Sequence, residues 1–272
     1  MAALVQRHDR DRYQTALFAP ANRREALFAL YAFNYEIARV RESVTQPMLG
    51  QIRLQWWREI VDGAYAGAAR RQHEVAGPLA EIICDHALTR THLDRLIDTR
   101  DRDLADEPPA DLAALEDYAE GSSATLLALA LEVLGAPVAD AAARGIGIAY
   151  ALAGLLRAMP HHARARRQYI PADIAARVGL DPADYAGLRA SPALRMAVAE
   201  IAEAATAHLR AARRHRSDIS RAARAALLPA VIAARYLARV ERAGYDPFAP
   251  ELAIPDTLQS WRLFAAALRG RF

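Results

Sequence analysis

The densest chemistry in this chain lies in one short stretch. His161, His162, Arg164, Arg166 and Arg167 place five basic-capable groups within seven residues. Arginine forks bind phosphate or diphosphate bidentately, so the stretch reads as an anion site; its plainer reading is a solvated loop after a broken helix. Arg157 sits inside an apolar run, and a buried arginine must be paired, by a carboxylate such as Glu42 or by a bound anion. Asp94 and Asp98 form a D-x-x-x-D with Asp101 one turn on, a metal-capable spacing. Arg95, Arg100 and Arg102 interleave with them, which favours an ion-pair-laced surface. The basic run 208–227 suits an anionic lipid or an acidic partner, or else a solvated helix face. No groove-reading motif or stacking platform accompanies it, so nucleic acid is not expected. No serine–histidine–carboxylate pattern, phosphate-binding glycine loop or HExxH is present.

These residues need a scaffold, and the composition says which kind. Of the 272 residues 64 are alanine, and all 35 basic residues counted as Lys+Arg are arginine. Alanine, arginine and leucine are strong helix formers, and alternating β-branched runs are absent, so an all-α protein is expected. Ala26, Leu30, Phe33, Ile37, Val40 and Val44 mark one face of a helix over 21–43, with Pro20 before it and Pro47 after it. A second helix is predicted over 48–66 on the stripe Leu49, Ile52, Trp56, Ile60 and Ala64. That phase puts Trp56 in the core and leaves Trp57 to line a cavity, pack elsewhere or face a membrane or partner. Further helices are predicted near 75–87, 89–105, from the Asp111 N-cap to Leu134, 192–215, 219–241 and 257–268. Val138–Met159 is nearly all apolar, with glycines for close approach or a ligand, and Pro160 should end or kink it. No repeat or composition break divides the chain, so residues 1–272 read as one domain. The lone Cys84 excludes an intramolecular disulfide. The N-terminus shows no apolar signal region, and no 18-residue stretch is free of charge, so neither a secretory signal nor a spanning helix is expected. A cytoplasmic address follows, and the net charge of +3 is mild.

Two segments carry a family resemblance. PANRREALFALYAF, residues 20–33, and GIAYALAGLLRAMPHHARARRQYIP, residues 147–171, resemble the squalene/phytoene synthase family, which joins isoprenoid diphosphates. The first matches at Pro20, Arg24, Ala26, Ala29, Leu30, Tyr31, Ala32 and Phe33, the second at Gly147, Ala149, Leu152, Leu156, Arg157, Arg167, Tyr169 and Pro171. The resemblance implies an isoprenoid-synthase-type helical domain around a central, largely apolar cavity. It also implies two aspartate-rich helix faces that hold magnesium against a diphosphate, and here the chain departs from it. The aspartate positions fall at Ala38, Glu42, Ala158 and His162, the glutamate between the last two falls at His161, and Ala151, Ala153 and Gly154 replace polar wall residues. Magnesium requires hard oxygen ligands, which alanine does not supply and imidazole replaces poorly. By family position Tyr13, Asn34, Tyr35, Asp103 and Tyr169 are candidate cavity polar groups.

The strings IRLQWWREIVDGAY, DTRDRDL, EDYAEGSSATLLALALEVLG and QSWR, with Arg-Ala-x-Pro-x-His at the second motif, resemble the assembly-factor branch of this family. That branch implies early assembly of respiratory complex I. The expectation is a non-catalytic or non-classical member with no cofactor. It would bind a prenyl or lipid ligand and a complex I assembly intermediate or subunit, at the inner-membrane periphery or in the cytoplasm. The alternative is an active transferase on isoprenoid diphosphates, using Mg2+ held by Glu42 with Asp98 and Asp103. A third reading is a peripheral lipid-binding protein with no complex I role. The candidate ligand- or anion-binding residues are thus Tyr13, Asn34, Glu42, Asp98, Asp103, Arg157, His161, His162, Arg167 and Tyr169.

Overall fold

The computed structural model describes residues 1–68, 72–136, 140–215 and 220–270, and among them it contains helices and no strand. The helices are α1 Ala2–His8, α2 Arg10–Ala16, α3 Ala21–Ala38, α4 Pro47–Tyr65, α5 Ala76–His86, α6 Arg90–Asp101, α7 Leu112–Ala119, α8 Thr125–Val133 and α9 Asp140–Arg164, followed by α10 Ala172–Val178, α11 Pro182–Ala186, α12 Pro192–Arg213, α13 Arg224–Leu227, α14 Pro229–Arg242, α15 Pro250–Ala253 and α16 Gln259–Arg269. Local chemistry sets their starts. Asp9, Asp111 and Ser191 accept from the first-turn amides of Arg12, Ala114 and Leu194, and prolines open α4, α11, α12, α14 and α15. A π-helical turn, Glu120–Ala124, joins α7 to α8 inside the predicted 111–134 segment.

α9 is the central element and packs on α7, α8, the π turn, α12 and α14. A Cβ at Gly147 would lie 2.2 Å from Ala124 Cα, so glycine is what lets α9 approach the π turn. α9 is long and apolar enough to cross a membrane, yet 67% of its most apolar window is buried by its neighbours, the setting of a core helix. Pro160 does not end it. Met159 and Ala163, on either side of the proline, are both buried, and this packing offsets the lost hydrogen bond.

The predicted face of α3 is confirmed from Ala26 to Val40, but the helix stops at Ala38 and Arg41–Ser43 forms a 3-10 turn. The stripe of α4 is corrected. Gly50, Leu54, Trp57, Ile60 and Val61 are buried, while Leu49 and Ile52 are exposed. Trp57 is the core residue, edge-on to Phe33 at 5.3 Å, and Trp56 packs only partly buried against it and His73. Between α9 and α12 lie the short α10 and α11, and the predicted 219–241 helix is split into α13 and α14. Part of the basic 208–227 run, residues 216–219, lies outside the described residues.

Candidate functional site

Two polar regions flank the C-terminal half of α9. The first centres on Asp103, in the 3-10 turn after α6, whose side chain is 8% exposed. Tyr118 from α7 and Tyr169 from the loop after α9 donate to Asp103 Oδ1 at 2.8 and 3.0 Å. Arg100 donates to Asp103 Oδ2 at 3.2 Å, to Tyr118 Oη at 3.0 Å and to Asn34 Oδ1 at 3.4 Å. Arg167 donates to the Asp103 carbonyl at 2.7 Å, and the His162 ring lies 4.7 Å from that of Tyr169. Burial pushes the Tyr118 phenol far up and the Tyr169 phenol up to about 12, and neighbouring Asp103 adds to both, so each keeps its proton to donate. Burial pushes the His162 imidazole down to about 4, and Arg167 and His161 push it further the same way. At neutral pH this favours the uncharged ring, which keeps one N–H donor.

The second region is a cleft of about 780 Å³ between α2, the end of α9, α14 and the α15–α16 segment. Six arginines line it, Arg10, Arg157, Arg164, Arg235, Arg239 and Arg262, against two carboxylates, Asp11 and Asp256. Ile232, Tyr236, Phe248, Leu252 and Leu263 give it an apolar floor. Arg157 donates to Asp11 at 2.7 Å and Gln259 does so at 2.8 Å. Burial pushes the Asp11 carboxyl up, but Arg157 and Gln259 together hold it below its usual value. Asp256 is bound by Arg262, and Arg235 Nε stands 3.6 Å from it with no hydrogen bond. Arg10 and Arg164 have no carboxylate partner among the described residues. A pocket of this size, apolar beneath and cationic at the rim, suits an anionic amphiphile. Deeper in, Arg12 lies between Tyr31 and Tyr150 and pairs with Asp9 at 2.7 Å, beside a cavity of only about 10 Å³.

The sequence candidates therefore separate. Asn34, Asp103, His162, Arg167 and Tyr169 meet in the first cluster, and Arg157 alone reaches the cleft. The proposed Arg157 partner, Glu42, is replaced by Asp11; Glu42 instead faces His161 at 3.7 Å, both largely exposed. Asp98 points to solvent and is held with Asp101 by Arg58. Tyr13 stacks on Phe28, and Tyr35 on His8. The basic stretch is divided, since Arg164 lines the cleft while His162 and Arg167 turn to Asp103. Sequence reading missed Arg10, Asp11, Arg235, Arg239 and Asp256. Its available signal was Arg235 and Arg239, one turn apart in a helix whose preceding residues, 229–234, are all apolar.

Magnesium fits poorly at the positions where the family resemblance leads one to expect metal aspartates. Ala38 and Ala158 bring methyl groups, His162 brings a neutral imidazole packed on Tyr169, and Glu42 is 65% exposed. Asp98 and Asp103 do not converge to replace them, one being in solvent and the other sealed by phenols. Among the described residues no three His, Cys, Asp or Glu side chains gather to hold a metal. On the same α9 face a Cβ at Gly154 would meet nothing within 4 Å, so that wall is bare.

The sequence profile of the squalene/phytoene synthase family matches residues 5–267. The bovine (Bos taurus) protein named NADH dehydrogenase (ubiquinone) complex I, assembly factor 6 is 34% identical over 271 residues, 99% of this chain and 81% of that protein. A presqualene diphosphate synthase of Rhodopseudomonas palustris is 27% identical over 203 residues, 74% of this chain and 72% of that protein. Among solved structures, a squalene synthase from Alicyclobacillus acidocaldarius superposes with a TM-score of 0.80 at 22% identity, covering 90% of this chain and 93% of that one.

Proposed function

The chain belongs to the squalene/phytoene synthase family, and from that membership we propose that it serves complex I assembly rather than prenyl transfer. It would act on an assembly intermediate or subunit and hold a prenyl or lipid anion in the arginine-rimmed cleft. The observation that carries this reading is the α9 face of Ala151, Gly154, Ala158 and His162, which offers no oxygen ligand where the family's reaction needs magnesium. Near-full-length similarity to proteins named as complex I assembly factors supports the role. In the cleft, Arg10, Arg164 and Arg235 would take a phosphate directly, with no metal between, while the apolar floor takes the chain of the ligand. The working place would be the cytoplasmic face of the inner membrane.

Deleting the gene and resolving respiratory complexes on native gels tests the role. Loss of mature complex I, restored by the intact gene, is the expected result. Normal complex I in the deletion strain defeats it. Mass spectrometry of material extracted from the purified protein tests the ligand, with an anionic lipid or prenyl phosphate expected.

Similarity to the presqualene diphosphate synthase favours one other reading, an active transferase. Incubation with magnesium and farnesyl diphosphate separates the two: pyrophosphate release at enzyme-like rates, about 1 per second or faster, would establish the transferase.

A further inference from the structure

α16 presents apolar residues on two opposite sides. Leu263, Ala266 and Ala267 pack inward on Leu228 and Ile232. Trp261, Phe264 and Leu268 face outward, 71%, 47% and 68% exposed, with the two aromatic rings edge-on at 6.2 Å. Ile254 and Leu258, also exposed, precede them in the chain. Isolated exposed apolar side chains are ordinary, but a grouped set of this size marks a contact surface.

We propose that α16 docks the protein on an anionic bilayer, with Trp261, Phe264 and Leu268 in the interface and the neighbouring arginines against lipid phosphates. Charge selects this occupant. The adjoining cleft carries six arginines against two aspartates, and Arg269 in the last turn of α16 also has no carboxylate partner among the described residues. Size selects it too. A standard protein interface takes about 20–30 residues a side, whereas the outward stripe is three side chains on a helix of 11 residues. A bilayer requires no matching surface, and a short helix with tryptophan, phenylalanine and leucine on one face and arginine at its flanks lies in its interface plane. The docked helix would set the cleft mouth beside the lipid headgroups. The inference deepens the lipid-using reading above and rests on it for what enters the cleft.

The test is sedimentation of the full chain with vesicles of phosphatidylcholine, alone or mixed with phosphatidylglycerol, together with tryptophan fluorescence. Binding to the mixed vesicles should be about tenfold tighter or more, and should weaken as salt is added. The triple variant Trp261→Ser, Phe264→Ser, Leu268→Ser should lose about tenfold or more of that binding. Met48→Ser with Ile52→Ser removes equally exposed apolar groups from α4 and should change nothing. A blue shift on vesicle binding should be present in the native chain and absent in Trp261→Phe. Equal binding to both vesicle types, or full binding by the triple variant, overturns the proposal. Self-association that the triple variant abolishes also overturns it, because the face is then a contact between copies. A chain that docks but carries no extractable anionic amphiphile defeats only the cleft reading, and the reverse result defeats only docking.

Discussion

Around Asp103 both carboxylate oxygens are taken by protein donors, from Tyr118, Tyr169 and Arg100. Across the cleft, six arginines face two aspartates, and Arg10 and Arg164 answer to neither. Both regions are made of arginine, aspartate and tyrosine, so residue type does not separate them; the balance of arginine against carboxylate does. These partners hold α6, α7 and the post-α9 loop together around a neutralised carboxylate, and of the Arg100 nitrogens Nε alone is buried without a hydrogen bond. An excess of one charge above an apolar floor is poor architecture for stability and good architecture for binding an anion.

Substitution should separate the two regions sharply. Asp103→Ala leaves Arg100 buried without its carboxylate and should cost about 3–5 kcal/mol of unfolding free energy by urea titration. The pH dependence of His162 comes next. In the unfolded chain its imidazole protonates near the ordinary value of about 6.5, but in the fold only near 4. Between those values the unfolded state holds the extra proton, so the stabilising contribution is complete above pH 6.5 and is lost as pH falls toward 4. With partial exposure discounted the effect should be about 2 kcal/mol, and His162→Gln should remove that part of the slope. Tyr118→Phe deletes one donor to Asp103 and should cost about 1–2 kcal/mol, read from the same titrations. Smallest for stability is Arg164→Gln in the cleft, within about 0.5 kcal/mol of the native chain. The same variant should retain clearly less anionic lipid on extraction. A large loss of stability there would erase the contrast between the regions.

Much of the scaffold was legible because it is local. The α3 face, the Asp111 cap and the burial of α9 follow from periodicity and from side chains a few residues apart. The phase of α4 was misread by one position, because Trp56 and Trp57 are equally apolar and only the packing of α4 on α5 and α6, with Phe33 edge-on to Trp57, decides which turns inward. Of the ten candidate residues, Asn34, Asp103, His162, Arg167 and Tyr169 converge. The Arg100–Asp103 pair is an i,i+3 spacing the sequence displays, but Tyr118, Tyr169 and Asn34 reach it from other elements, which no spacing could reveal.

What the sequence determined alone was an all-helical fold, capped starts such as that at Asp111, and the absence of side-chain oxygen at Ala38, Ala158 and His162, since backbone propensity and side-chain chemistry belong to each residue. Tertiary structure alone decided which charges cancel. Arg157 meets Asp11 from 146 positions away, and the cleft exists only where α2, α9, α14 and α16 pack with arginines toward one another. Coulomb energy depends on distance and burial, and packing angles fix both.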